Sequence, residues 1–343
     1  MKKAVSMKIC IIFALLVATT ISFVISDNDE VKTYQSFAEL RAGLPAIMEK
    51  NGIRAAINIV NETTQTRNIS YDDCHVAMHL IGHSAYRLTN GSLEQALEIG
   101  GRTQCLGGYV HGLEAEIAAW GYDPQRELEE LCAISKQKNI FDGSCYHGVG
   151  HGIFELTHDI NRSLAFCESI TGEKKSEKDS SSCYRGVFSE VGNVLGGYDT
   201  NSGLPIEKIN IDGMDPQNPF LFCDSLSEQY RKSCYSQLSK LFYSSYEPYE
   251  YIHKCLRQNH MIEAQKICVD TLSHMHARVV LSRADTIIAP KIIAELEEPF
   301  RKMYIQGIKG GFQALQSSGY ERQWQPFCNS LLQMPDREFC YSL

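Results

Sequence analysis

Apolar residues along most of this chain recur three and four apart, the spacing that lines one face of an α-helix. Stretches such as "CHVAMHLIGHSAY", "CLGGYVHGLEAEI", "CYHGVGHGIFELT" and "CYRGVFSEVGNVL" show it, with glycine or alanine filling many intervening places. Short apolar runs ending in a cysteine, "LEELC", "LAFC", "FLFC", "YIHKC" and "QPFC", alternate with stretches of this kind. Polar segments such as "ESITGEKKSEKDSSS" and "DSLSEQYRKS" lie between the two. The two-residue alternation of a half-buried strand is nearly absent. The pattern therefore predicts helix, polar turn and helix, repeated: a chain of αα-hairpins.

Cysteine spacing sharpens this. Cys132 and Cys145, Cys167 and Cys183, Cys223 and Cys234, Cys255 and Cys268, and Cys328 and Cys340 each bracket one polar turn. A bond closing a loop of about a dozen residues contributes about 3 kcal/mol on the chain-entropy account. Second helices are expected to start at Cys74, Cys105, Cys145, Cys183, Cys234, Cys268, near Tyr304 and at Cys340. "YIQGIKGGFQAL", from Tyr304, carries the pattern without its cysteine. A repeat of about 35–40 residues is the signature of a helical-hairpin array. The expected fold is all-α, a solenoid-like array of disulfide-stapled αα-hairpins. Cys74 and Cys105 are left for each other by elimination and would join two second helices directly. The architecture resembles secreted, disulfide-stapled arrays of the tetratricopeptide type. The likeness covers period and staples alone. The family's tryptophan-leucine-glycine-tyrosine pattern is missing, so no function follows from it.

Composition adds a compartment. Lys2, Lys3 and Lys8 precede an uncharged apolar run from Ile9 to about Ser26, with small residues at its end, which reads as a secretory signal peptide over 1–26. An uncleaved single-pass anchor is the alternative. No later stretch approaches a membrane span. Of thirteen cysteines only Cys10 falls in the leader, and the even remainder fits a disulfide framework in an exported chain. Sequons at Asn61, Asn68, Asn90 and Asn161 fit a glycoprotein. The net charge of −8 argues against nucleic acid as a partner, which needs a basic face. "GGYDTNSGLPIEKINIDGMDPQNP" is the best internal boundary. It separates a histidine-bearing repeat region (27–198) from stapled hairpins (219–343) through a loop at 199–218.

Histidine is distributed unevenly. Of eleven in the chain, seven lie between residues 75 and 158. His75, His79 and His83 fall four apart along one helical face, as do His147, His151 and then Glu155. His111 and Glu114 are neighbours three apart. His111 and His151 each stand six residues after a cysteine, so equivalent places in adjacent repeats carry them toward one groove. Imidazoles on successive turns of neighbouring helices build transition-metal sites. His75, His79, His83, His111, His147 and His151 are thus the candidate ligands, for zinc, copper or iron alike. Glu114, Glu155 and Glu190 are the candidate ligands, supporting carboxylates or general bases. Metal-assisted hydrolysis or redox chemistry with O₂ would suit such a centre. Gly82, Gly112, Gly148 and Gly152 flank these histidines, and glycine inside a helix marks a close approach.

Two other readings remain at this point. One is an extracellular scaffold that binds a protein or peptide in the groove of the array, with structural histidines. The other is haem held without covalent attachment between facing histidines. His274, six residues after Cys268, shows that histidine also suits this groove in a later repeat. The HExxH, CxxCH, GxSxG, Walker and GxGxxG signatures are all absent.

Overall fold

A computed structural model describes residues 36–67, 71–100, 105–138, 145–171, 177–197, 211, 213–215, 218–245, 247–258, 262–283, 288–314 and 324–343. The leader expected at 1–26 and most of the loop expected at 199–218 lie outside these residues. Among the described residues every regular element is helical and none is a strand. The helices are α1 (Phe37–Asn51), α2 (Ile53–Arg67), α3 (Tyr71–Leu88), α4 (Leu93–Gly100), α5 (Leu106–Trp120) and α6 (Pro124–Gln137). There follow α7 (Cys145–Thr157), α8 (Ile160–Thr171), α9 (Glu177–Gly196), α10 (Pro219–Ser225), α11 (Glu228–Leu238) and α12 (Lys240–Ser245). The last six are α13 (Pro248–Gln258), α14 (Ile262–Arg283), α15 (Ile288–Glu295), α16 (Phe300–Ala314), α17 (Trp324–Ser330) and α18 (Met334–Ser342). The chain divides into a short unit ending at Gly43 and a large unit from Leu44 to Leu343, which holds the repeats. No described helix is long and apolar enough to cross a membrane.

The second helices of the hairpins pack in sequence, α3 on α5, α5 on α7, α7 on α9, α9 on α11, α11 on α14, α14 on α16 and α16 on α18. Their residue patterns account for it. In α5 every residue from Gly108 to Ala118 is buried, the polar His111, Glu114 and Glu116 included, because the helix is packed between α3 and α7. The first helices are one-sided instead. α6 buries Leu128, Leu131, Cys132 and Ser135, and α8 buries Ile160, Ser163, Leu164, Cys167, Ile170 and Thr171. Each of these sets is one helical stripe laid on the second helices, with the opposite face in water. The start of α6 is written locally. Asp123 caps it by accepting from the Arg126 amide at 3.3 Å, and Pro124 occupies the first turn, where its missing N–H costs nothing.

All six expected disulfides are present: Cys132–Cys145, Cys167–Cys183, Cys223–Cys234, Cys255–Cys268, Cys328–Cys340, and Cys74–Cys105 between two second helices. The expected helix starts need correction. Only at Cys105 and Cys145 does the helix begin at the cysteine. Cys183, Cys234 and Cys268 lie well inside α9, α11 and α14, and Cys340 is near the end of α18. The reason is steric. A disulfide holds its two Cα atoms about 5.5–6 Å apart, so it joins the flanks of packed helices and not the two lips of a turn.

Candidate metal centre

The site begins with contact between backbones. A Cβ on Gly108 would come 2.2 Å from the His75 carbonyl oxygen, and one on Gly112 would come 2.1 Å from that of His79. Across the next interface, a Cβ on Gly186 would meet the His147 oxygen at 1.8 Å. Any larger residue at these places would push α3 from α5, or α7 from α9. Glycine therefore sets the helix separation at the turns that carry the histidines.

Five imidazoles converge there. His75 and His79 have ring centroids 4.9 Å apart, and both face His111, at 5.2 and 5.4 Å. His147 and His151 form a second pair at 4.8 Å and face the same His111 at 5.4 and 5.5 Å. Within each pair the Nε2 atoms are 3.2 Å apart. One ligand nitrogen from each of His75, His79 and His111 lies within 4.8 Å of the other two. His79, His111 and His151 are buried, whereas His75 and His147 are half-buried and give the group an edge toward solvent. Burial holds the His79 and His111 rings well below the ordinary imidazole range, and the neighbouring imidazoles push the same way. Burial likewise lowers His147, helped by His151, Lys240 and Arg185, while a hydrogen bond to the Ser182 backbone opposes it. These three rings are neutral at neutral pH, the form that ligates metal.

The carboxylates take different places. Glu190, on α9, accepts from His151 Nδ1 at 2.8 Å and from Asn193 Nδ2 at 3.1 Å, both on the same oxygen. Glu114 is fully buried on α5, and burial raises its carboxyl well above the usual range. Its Oε1 lies 2.9 Å from the Cys145 sulfur. A disulfide sulfur carries no proton, so any hydrogen in that contact belongs to Glu114, in keeping with a protonated acid. Its Oε2 has no hydrogen-bond partner and closely abuts Gly148, whose Cβ would also lie 2.4 Å from the His111 ring. Glu114, Cys132 and Cys145 together have metal-like spacing, but the two sulfurs are bonded to each other and cannot act as thiolates. Glu155 is half-buried on α7, one turn beyond His151.

His83, a turn beyond His79, bonds Glu116 Oε2 through Nδ1 at 3.1 Å. Arg87 joins the same carboxylate with Nη2 at 3.1 Å. Burial would raise Glu116, but these two donors outweigh it and the carboxyl is lowered. Sequence reasoning missed Glu116, Arg87, Asn193 and Ser182. Arg87 four residues after His83 and Asn193 three after Glu190 are helical neighbours, and that spacing was the available signal. Ser182 acts through its backbone and leaves none.

Helices lie in backbone contact at Gly108, Gly112 and Gly186, so a porphyrin between the facing histidines would have to part them. Two clefts lie away from the rings, one of 410 Å³ near Asp123, Arg162 and Phe166, the other of 560 Å³ near His158, Asn161 and Phe222. Compared with known protein families, curated proteins and solved structures, the chain matches none.

Proposed function

We propose that this chain is an exported, glycosylated helical-repeat protein that binds a transition metal through His75, His79 and His111. The observation that carries the reading is the convergence of three imidazole nitrogens, two of them on buried rings, within 4.8 Å of one another. Two nitrogens on a tetrahedral ion at about 2.0–2.1 Å are about 3.3 Å apart, and His75 and His79 hold theirs at 3.2 Å. Half-exposed His75 supplies a way in. Glu190 supports the group by orienting His151, as carboxylates commonly do around metal-bound imidazoles. Three imidazoles leave a coordination position for water or dioxygen, as catalytic centres require. Glu114, beside His111, is the carboxyl placed to move a proton there.

A second reading, a scaffold with structural histidines binding a protein or peptide partner, is favoured by His276. That ring is fully buried, bonds the Tyr304 hydroxyl and packs against Tyr251. Elemental analysis of the secreted chain with its disulfides intact separates the two. Stoichiometric zinc, copper or iron, lost together with thermal stability in EDTA, supports the metal reading. Substoichiometric metal in every preparation, with stability unchanged by EDTA, overturns it. Changing His111 and His151 together to alanine should abolish uptake and leave the helical signal largely intact.

A further inference from the structure

We infer that the imidazole group holds two transition-metal ions, the second between His147 and His151. This rests on the metal reading above and extends it from one ion to a pair.

The orientation of the second pair of rings carries the inference. His151 Nδ1 faces Glu190 Oε2 at 2.8 Å, and Asn193 donates to that same oxygen. A carboxylate only accepts, so Nδ1 of His151 bears a hydrogen, and Nε2 is the nitrogen turned toward His147. His147 turns its Nε2 on His151 and also hydrogen-bonds the Ser182 backbone in the sense that donates from the ring. Nδ1 is the nitrogen left for that bond, so Nε2 of His147 is likewise the nitrogen turned toward its partner ring. Each ring is thus held through its Nδ1, and the two Nε2 atoms face each other across 3.2 Å. That distance equals the one between the Nε2 atoms of His75 and His79 and is close to the separation of about 3.3 Å that one tetrahedral ion sets between two of its nitrogens.

Placement separates this position from the first. His75 and His79 belong to α3 and His147 and His151 to α7, with α5 and its His111 between. The His111 ring is nearly equidistant from the two pairs, 5.2 and 5.4 Å on one side and 5.4 and 5.5 Å on the other. A single ion reaching nitrogens about 2.0–2.1 Å away cannot serve both pairs across that ring. The first ion has three protein ligands. The second has the chelating pair, fixed from behind by Glu190 and Ser182, and keeps more positions open to small oxygen donors. It should be the weaker and more exchangeable of the two.

The test is a count. The full secreted chain, disulfides intact, is stripped with a chelator and titrated with Zn²⁺, with native mass spectrometry to count ions and calorimetry to resolve steps. The expected result is two Zn²⁺ per chain in a tight and a weaker step. Changing His147 and His151 to asparagine should remove the weaker step alone, and the same change at His75 and His79 the tight one. A wild-type chain that saturates with one Zn²⁺ overturns the inference and leaves the metal reading standing. A chain that takes up none overturns both. Two ions retained by the His147/His151 variant also overturns the inference. The wild-type count decides the question even where a variant fails to fold.

Discussion

Replacing Gly112 with alanine tests the packing on which the whole centre depends. The new Cβ would lie 2.1 Å from the His79 carbonyl oxygen and 2.9 Å from its carbon, both backbone atoms that cannot rotate away. Ordinary contact begins at 3.4 Å, so α3 and α5 must part by about 1.3 Å, an overpacking strain that costs about 1–3 kcal/mol. Alanine returns about 1 kcal/mol through helix propensity. A control with the same propensity gain is Gly192→Ala in α9, whose Cβ would meet nothing closer than 3.8 Å. Gly192→Ala should therefore stabilise the chain by up to about 1 kcal/mol. Gly112→Ala should fall below it by the contact cost, about 1–3 kcal/mol. Denaturant unfolding of both variants, disulfides intact and followed by circular dichroism, measures the difference. The parting of the helices also moves His79 against His111 by several times the 0.2 Å or so that metal ligation tolerates, so zinc uptake should fall with it. Equal stability of the two variants would refute the close approach of α3 and α5 and, with it, the geometric basis of the centre.

Three further expectations are independent of that contact. Glu190→Gln keeps the shape of the side chain but removes the anionic acceptor of His151 Nδ1; zinc affinity measured by calorimetry should drop about 10–100-fold with little change in the helical signal. Replacing Cys255 and Cys268 with alanine opens a staple of sequence separation 13 far along the array from the imidazoles. It should cost about 3 kcal/mol in denaturant unfolding and leave metal uptake intact. Tyr86 donates to Glu127, and burial together with that carboxylate pushes its hydroxyl up to about 12. Its folded value lies above the ordinary 10, so its contribution to stability is complete below pH 10 and is lost as pH rises toward 12. Ultraviolet phenolate titration should show one fewer late-ionising tyrosine in Tyr86→Phe than in wild type, while Tyr109 and Tyr230, also raised by burial, ionise late in both.

The hairpins, their order and the staples were legible in the sequence because local spacing produces them. A separation of 13 residues keeps Cys132 and Cys145 within reach of each other whatever the rest of the chain does, and Asp123 with Pro124 starts α6 locally. Even Cys74–Cys105, reached by elimination, followed from the other pairs being local. The extent of each helix was less legible, since Cys340 sits at the end of α18 and not at its start. Which helical faces meet was decided only in three dimensions. His83 continues the four-residue spacing of His75 and His79, yet each such step drifts by about 40° around the helix, and two steps turn it to Glu116 and Arg87. His111 gained its central place because glycine lets α5 lie against α3 on one side and α7 on the other. Glu190 became the partner of His151 across 39 residues, and the Ser182 backbone turned to His147, through contacts between helices that no spacing within either helix records. Local spacing determines which residues share a face, whereas the distance and angle between packed helices determine which faces share a site.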